Sequence, residues 1–224
     1  MEPIRSYHRN RGFTLIELLV VLAIITIITA VVFTSQSSFN KTLVLANTAY
    51  DVALTIRYAE SYGLGSRAFG SSVDTGYGIH FASGTTNSFI LFADTYPPVG
   101  TGSLCHPAPS YDPTGPSALS GNCSFDASQG EQVQVYTLGN AITISDFCAQ
   151  SNGTWLCAST GGLTSLDVVF SRPNPTPFMS ENGSYSATFP VTASCITLSS
   201  AQGGVKYISI GAAGQISTAA TSCP

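Results

Sequence analysis

Basic residues are scarce in this sequence outside its first twelve positions. Beyond Gly12 the chain has five Lys or Arg against eleven Asp or Glu, a formal balance of −6. Binding to a nucleic-acid backbone requires clustered Lys and Arg, so this balance argues against nucleic acid as a partner. Three of the eight basic residues, Arg5, Arg9 and Arg11, are instead concentrated before Gly12.

Sequence motifs for catalysis and metal binding are also lacking. The chain contains no Gly-x-Ser-x-Gly, His-Glu-x-x-His, phosphate-binding or dinucleotide-binding motif. It has three His and no Cys-x-x-Cys pair, so a zinc site of the usual spacing is not expected. We interpret His80, His106 and Trp155 as packing or surface residues, with catalysis (His) and ligand recognition (Trp) as the alternatives. The sequence therefore predicts no enzyme, no catalytic residue, no metal and no cofactor.

A long apolar run follows the basic leader. Residues 13–33 are 21 in number and apolar except for three Thr and one Glu. As a helix rising about 1.5 Å per residue, the run spans roughly 30 Å, the thickness of a bilayer core. Arginines before it favour a cytoplasmic N-terminus, which places the rest of the chain outside the membrane.

Two simpler interpretations of this run fail on particular residues. A cleaved secretory signal needs a shorter apolar region followed by a small-x-small site, whereas here the run continues into Thr-Ser-Gln-Ser-Ser. A plain membrane anchor explains everything except Glu17. A carboxylate at membrane depth costs at least about 2.5 kcal/mol, and such residues usually have a function and a partner.

The sequence Arg-Gly-Phe-Thr-Leu-Ile-Glu-Leu-Leu at 11–19 resembles the class III signal of type IV prepilins and type II secretion pseudopilins. The resemblance implies that a prepilin peptidase cuts between Gly12 and Phe13 and methylates the new amine of Phe13. It also implies that Glu17 is the carboxylate used in filament assembly. The expected domains are a cleaved leader (1–12), a transmembrane and filament-core helix (13–37) and an extracytoplasmic part (38–224).

An even number of cysteines fits an exported domain. None lies in the apolar run, and an export segment with paired cysteines is typical of a disulfide-bonded extracytoplasmic head. Fifteen connectivities are open. Local pairing closes the shortest loops and would join Cys105 to Cys123, Cys148 to Cys157, and Cys195 to Cys223.

The helix should continue past the membrane and then give way to strands. After residue 40, one apolar stripe recurs at spacings of four, three, four and three: Leu45, Ala49, Val52, Ile56 and Ala59. Gly63 and Gly65 offer the first stop, so the helix should run from Phe13 to about Tyr62. We expect an α+β fold in which this long helix packs on a β-rich antiparallel globular head.

Predicted strands in the head follow aromatic and β-branched runs, with a loop insertion at about 94–130. A hairpin should form from 76–82 and 87–93, and Gly203-Gly204 is a further hairpin signal. The other predicted strands are 132–137, 141–145, 166–171, 186–191, 195–199, 206–210 and 215–217.

This order of parts is similar to that of the H-type minor pseudopilins and the FimT-like minor pilins. The resemblance implies a minor filament subunit of a type IV pilus or a type II secretion pseudopilus. Its expected partners are the prepilin peptidase, other pilin or pseudopilin subunits, an inner-membrane assembly platform, and the lipid bilayer before assembly. Its expected location is the bacterial inner membrane and then the filament. The alternative is a binding module at a filament tip, acting as an adhesin or in substrate recognition.

Overall fold

The computed structural model describes residues 12–73, 75–97, 120–172 and 174–223, the side chains of 34–39 and 174 excepted. The chain divides into two compact units, one ending at Lys41 and one beginning at Thr42. Helix α1 (Leu15–Leu64) contributes to both units. The fold is α+β, as predicted: an apolar N-terminal helix is followed by a head of antiparallel sheets.

Strands of the head form two five-stranded sheets, within the part of the chain that the structure describes. The first has the order β3-β2-β1-β6-β7 and the second β10-β9-β8-β4-β5, with every neighbouring pair antiparallel. The strands are β1 (Gly76–Ala82), β2 (Ser88–Asp94), β3 (Gln132–Thr137), β4 (Ile142–Ser151), β5 (Thr154–Cys157), β6 (Ser165–Ser171), β7 (Asn174–Glu181), β8 (Val191–Ser200), β9 (Val205–Gly211) and β10 (Ile216–Ser217). A short 3-10 helix occupies Ala127–Gln129.

The second half of α1 forms part of the core of the head. All five residues of the predicted stripe are at most 3% exposed, and Ile56 and Ala59 are fully buried. They share one hydrophobic cluster with residues from both sheets, among them Ile79 and Ile196. The helical periodicity therefore predicted this packing face correctly.

Gly63 has a different role from the one its sequence position suggested. The helix ends at Leu64, two residues after the predicted end, so Gly63 lies within its last turn. A Cβ at Gly63 would lie 2.8 Å from the carbonyl carbon of Phe170 in β6, and closer still to its oxygen. Glycine is required here because α1 approaches the backbone of a strand.

The predicted hairpin is confirmed, with Gly76 of β1 opposite Asp94 of β2. Strand β3 has the predicted bounds, and the β8–β9 hairpin turns at Gly203-Gly204, where both residues have positive φ. The prediction of a strand at 186–191 is wrong. Residues 186–190 are exposed and form no strand. Pro190 has no backbone N–H, so it could not donate a hydrogen bond to a neighbouring strand.

Two strands were missed in the sequence. Strand β7 contains Pro175 and Pro177, which usually exclude a strand. They are tolerated because β7 is the edge of its sheet, where one side of the backbone needs no partner. Strand β5 is only four residues long, but it follows Asn152-Gly153, both with positive φ, which is a recognised hairpin turn signal.

Two disulfides brace the second sheet. Cys148 and Cys157 lie directly opposite each other in the β4–β5 pair, with 4.1 Å between their Cα atoms. Cys195 of β8 is bonded to Cys223 near the C-terminus, with a Cα separation of 5.8 Å. These are two of the three local pairs expected from the sequence.

The expected insertion at about 94–130 is described only at its two ends, 94–97 and 120–130. Cys105 and His106 lie outside the described residues. Cys123 is disulfide-bonded. Its pairing with Cys105 stays a prediction.

Candidate functional site

The junction between Gly12 and Phe13 lies just before the first turn of α1. Thr14 caps the helix: its Oγ1 accepts a hydrogen bond from the Glu17 N–H (3.3 Å), and its carbonyl accepts one from the Leu18 N–H (3.2 Å). Gly12 and Phe13 are exposed, and the Phe13 side chain is 81% exposed. Exposed backbone outside regular structure is where peptidases cut most readily. The predicted cleavage position therefore lies in a suitable backbone context.

Glu17 lies three residues after the Thr14 cap, in the first turn of the helix. The Thr-x-x-Glu spacing is that of a capping box, and the partial positive charge of a helix N-terminus favours a carboxylate in this turn. Among the described residues, the Glu17 carboxylate has no hydrogen-bond or ion-pair partner. It is therefore available to a group from outside the chain.

The rest of this segment has its polar groups satisfied. Leu15–Phe33 has a mean hydropathy of 3.0 and no buried residue, and by length and composition it is apolar enough to cross a membrane. The Thr26 and Thr29 hydroxyls donate to the carbonyls of Leu22 (2.7 Å) and Ile25 (2.8 Å). Such bonds remove the cost of exposing a hydroxyl to lipid. Glu17 is the one charged residue of this span.

Two buried carboxylates in the head hold the described ends of the insertion. Asp94 accepts hydrogen bonds from the backbone N–H groups of Asn122 and Cys123, both at 2.9 Å. Glu131 accepts from the N–H groups of Thr95 (2.7 Å), Tyr96 (2.8 Å) and Asp126 (2.8 Å). Burial raises the pKa of Asp94 well above its usual range, and the nearby Glu131 charge raises it further. Burial also raises the pKa of Glu131.

A third buried carboxylate, Asp167 on β6, contacts His80 on the neighbouring strand β1. Its Oδ1 lies 2.6 Å from Nδ1 of His80, and the His80 ring packs 4.8 Å from the ring of Phe125. Burial raises the pKa of Asp167, and the His80 hydrogen bond partly offsets this. Asp94, Glu131 and Asp167 lie far apart in the sequence. The fold brings them close enough for the Asp94 charge to interact with both of the others.

The arrangement around Asp167 is not that of a nucleophilic triad. Its neighbours in register are His80 on β1 and Ser180 on β7, so the carboxylate lies between the other two residues. The Ser180 hydroxyl donates to the Cys123 carbonyl at 2.5 Å. These contacts fix the ends of the insertion to the first sheet, and we assign them a structural role.

One group near the first disulfide has the composition of a metal site. Asp146 lies close to Cys148 and Cys157, but both sulfurs are used in the disulfide. The Asp146 carboxylate accepts hydrogen bonds from the N–H (2.9 Å) and the hydroxyl (2.5 Å) of Ser159. One carboxylate without thiolates is a poor metal site, so this group holds a turn.

Trp155, the single tryptophan of the chain, lies half-buried on the short edge strand β5. It lines a groove of about 290 Å³ on the second sheet, together with Ala193, Ser209, Gln215 and Ser222. The sequence indicated the tryptophan but not the groove. The other residues that line the groove come from β8, β9 and the C-terminal segment. Neighbouring strands bring them together only after folding.

Comparison with protein families gives one match. Residues 7–33 match the family described as the prokaryotic N-terminal methylation motif. Comparisons with curated proteins and with solved structures give no significant match. The matched range includes the Gly12–Phe13 junction, the Thr14 cap, Glu17 and the apolar span, and it includes no residue of the head.

Proposed function

We propose that this chain, which carries the prepilin-type methylation motif, is a minor subunit of a type IV pilus or a type II secretion pseudopilus. The observation that carries the proposal is the arrangement at the start of α1. An exposed Gly12–Phe13 bond directly precedes a capped apolar helix with a single carboxylate in its first turn. The motif supports a pilin-like or pseudopilin-like subunit, and the proposal adds its processing, assembly and minor role.

Processing begins at the leader. Residues 1–12 stay on the cytoplasmic side because of their arginines, and residues 13–37 span the inner membrane. A prepilin peptidase hydrolyses the Gly12–Phe13 peptide bond, which leaves an α-amine on Phe13 that the same enzyme methylates. Residues 38–224 fold outside the cytoplasm, where disulfides persist.

Assembly uses the two charges that processing leaves near the helix start. The Phe13 amine would lie next to the positive end of the helix dipole, so its own helix does not stabilise it. Glu17 lacks a partner within the described chain and is costly in lipid. In a filament, the amine of one subunit neutralises Glu17 of a neighbour, and the pair is favourable because both charges are otherwise stranded in an apolar core.

Replacing Glu17 by Gln tests this pairing. The variant keeps the size of the side chain and loses its charge, so leader cleavage should proceed as in the wild type. Incorporation into sheared filaments should fall by about tenfold or more, the equivalent of losing at least 1.4 kcal/mol of pairing energy. The matched control is Thr26→Val, because the Thr26 hydroxyl bonds its own helix and should not be needed for assembly.

Incorporation is measured as the ratio of the subunit in the sheared-filament fraction to that in the membrane fraction. Wild-type incorporation of the Glu17→Gln variant would show that the carboxylate has no assembly role here. An equal loss in Thr26→Val would show that the span tolerates no substitution, and the charge argument would fail.

The second candidate function is a binding module at the tip of such a filament. The groove beside Trp155 favours it, because a half-buried tryptophan at the rim of a surface hollow is a common recognition element. Affinity capture with the full chain discriminates between the two candidates. Recovery of pilin-like subunits alone favours the purely structural role.

A further inference from the structure

The groove beside Trp155 arises from the side-chain sizes along one row of the second sheet. Strand register places Trp155, Gln150, Ala193 and Gly211 side by side across β5, β4, β8 and β9. In this row the larger Trp155 and Gln150 are followed by the small residues Ala193 and Gly211, so a hollow remains over β8 and β9. Its volume is about 290 Å³.

Gln215 closes the opposite side of this hollow. Its side-chain amide lies over Gly211, so close that a Cβ on Gly211 would collide with it. The Gly211 N–H donates to the Gln215 carbonyl at 3.0 Å, which fixes the turn that carries this side chain. The groove therefore has an aromatic wall at Trp155 and an amide wall at Gln215.

Polar side chains around the groove are left without partners. Within the described residues, no hydrogen bond involves the indole N–H of Trp155, the side-chain amide of Gln215 or the hydroxyls of Ser209 and Ser222. Gln215 and Ser222 are exposed, and Trp155 and Ser209 are only partly buried. They supply both donors and acceptors to a molecule in the groove.

Disulfides brace the strand that carries the aromatic wall and the C-terminal segment beside the groove. The Cys148–Cys157 disulfide ties β5, which carries Trp155, to β4. The Cys195–Cys223 disulfide ties the C-terminal segment, which carries Ser222, to β8. Rigid walls reduce the entropy lost when a ligand binds.

We propose that this groove binds a neutral saccharide. None of its described lining residues is charged, so it has no opposite charge to pair with an ionic ligand. A pyranose ring combines an apolar face, which stacks on an indole, with hydroxyls that pair with amide and hydroxyl groups. The inference deepens the second candidate function and does not depend on leader cleavage or on filament assembly.

The test uses the full chain in a zwitterionic detergent, because glycosidic detergents would compete for the groove. A printed glycan array identifies binders, and the soluble form of the strongest binder is then titrated. Trp155 is the only tryptophan, so its fluorescence reports on this groove alone. We expect a saturable change in Trp155 emission with the saccharide and none with the same concentration of glycerol.

Two variants and one control complete the experiment, with affinities measured by calorimetry. Gln215→Ala, at an exposed position, should weaken binding by about tenfold, and Trp155→Phe should weaken it by at least as much. Tyr58→Ala removes an exposed aromatic ring of α1, outside the groove, and should bind as the wild type does.

Absence of any binder on the array overturns the proposal. So does binding that Gln215→Ala and Trp155→Phe leave unchanged, or a saturable response only to peptides. Each of these results leaves the proposed processing and assembly at Gly12, Phe13 and Glu17 untouched.

Discussion

Replacing Gly63 by Ala sets two effects of opposite sign against each other. Gly63 lies within the last turn of α1, and alanine is favoured over glycine inside a helix by about 0.5–1 kcal/mol. Helix propensity alone therefore predicts a more stable protein. The packing of α1 against the backbone of β6 predicts the opposite.

The structure decides which effect is larger. A Cβ at Gly63 would lie 2.8 Å from the Phe170 carbonyl carbon, whereas ordinary contacts begin at 3.4 Å, so helix and strand must separate by at least 0.6 Å (3.4 − 2.8). The carbon and the oxygen that this Cβ would meet belong to the backbone carbonyl of Phe170, which has no rotamer to change. Overpacking of this kind costs about 1–3 kcal/mol, and we expect the upper end. After the gain in propensity, the net loss should be about 2 kcal/mol.

Thermal unfolding of the full chain in detergent, without reductant, measures this loss. For a domain of this size, about 2 kcal/mol corresponds to a decrease of roughly 4–8 °C in Tm. The matched control is Gly84→Ala in the β1–β2 turn, where a Cβ meets nothing within 4 Å. The control should melt at the wild-type temperature or slightly above it. A Gly63→Ala protein that melts as high as this control would refute the close approach of α1 to β6.

Two further predictions concern the head. Ile56→Ala should lower the free energy of unfolding by about 2–5 kcal/mol because Ile56 is fully buried. The control Leu54→Ala, at a position 48% exposed, should change it by less than about 0.5 kcal/mol. Equal losses of the two variants in chemical denaturation would contradict the assigned packing face. The raised pKa values of Asp94 and Glu131 mean that the folded state keeps protons that the unfolded state releases above about pH 4. The stability that the two protonated carboxyl groups contribute is therefore lost as pH rises through the raised pKa values. Tm should be higher at pH 5 than at pH 7.5, and the reverse order would contradict the direction of these pKa shifts.

Local patterns in the sequence were sufficient to predict the helix and most of the strands. The stripe from Leu45 to Ala59 repeats with the period of a helix, and Gln132–Thr137 alternates in character like a strand. The strands that were missed have weak local signals: β7 carries two prolines, and β5 has four residues. The Asn152-Gly153 turn was the available signal for β5.

Contacts between distant residues could not be predicted in the same way. Asp94 and Glu131 are 37 positions apart, and only the β2–β3 pairing brings them together. The groove beside Trp155 depends on the register of four strands, which the order of residues along the chain does not encode locally. By contrast, Gly12 and Glu17 belong to one continuous motif, so the sequence alone could indicate them.

The central claim concerns the bond between Gly12 and Phe13, and intact-mass spectrometry tests it directly. The full chain is co-expressed with a prepilin peptidase, purified from the membrane fraction and weighed without digestion. We predict the loss of residues 1–12 and the addition of one methyl group at the amine of Phe13. A chain that keeps its leader, or one cut at another position, would contradict the account.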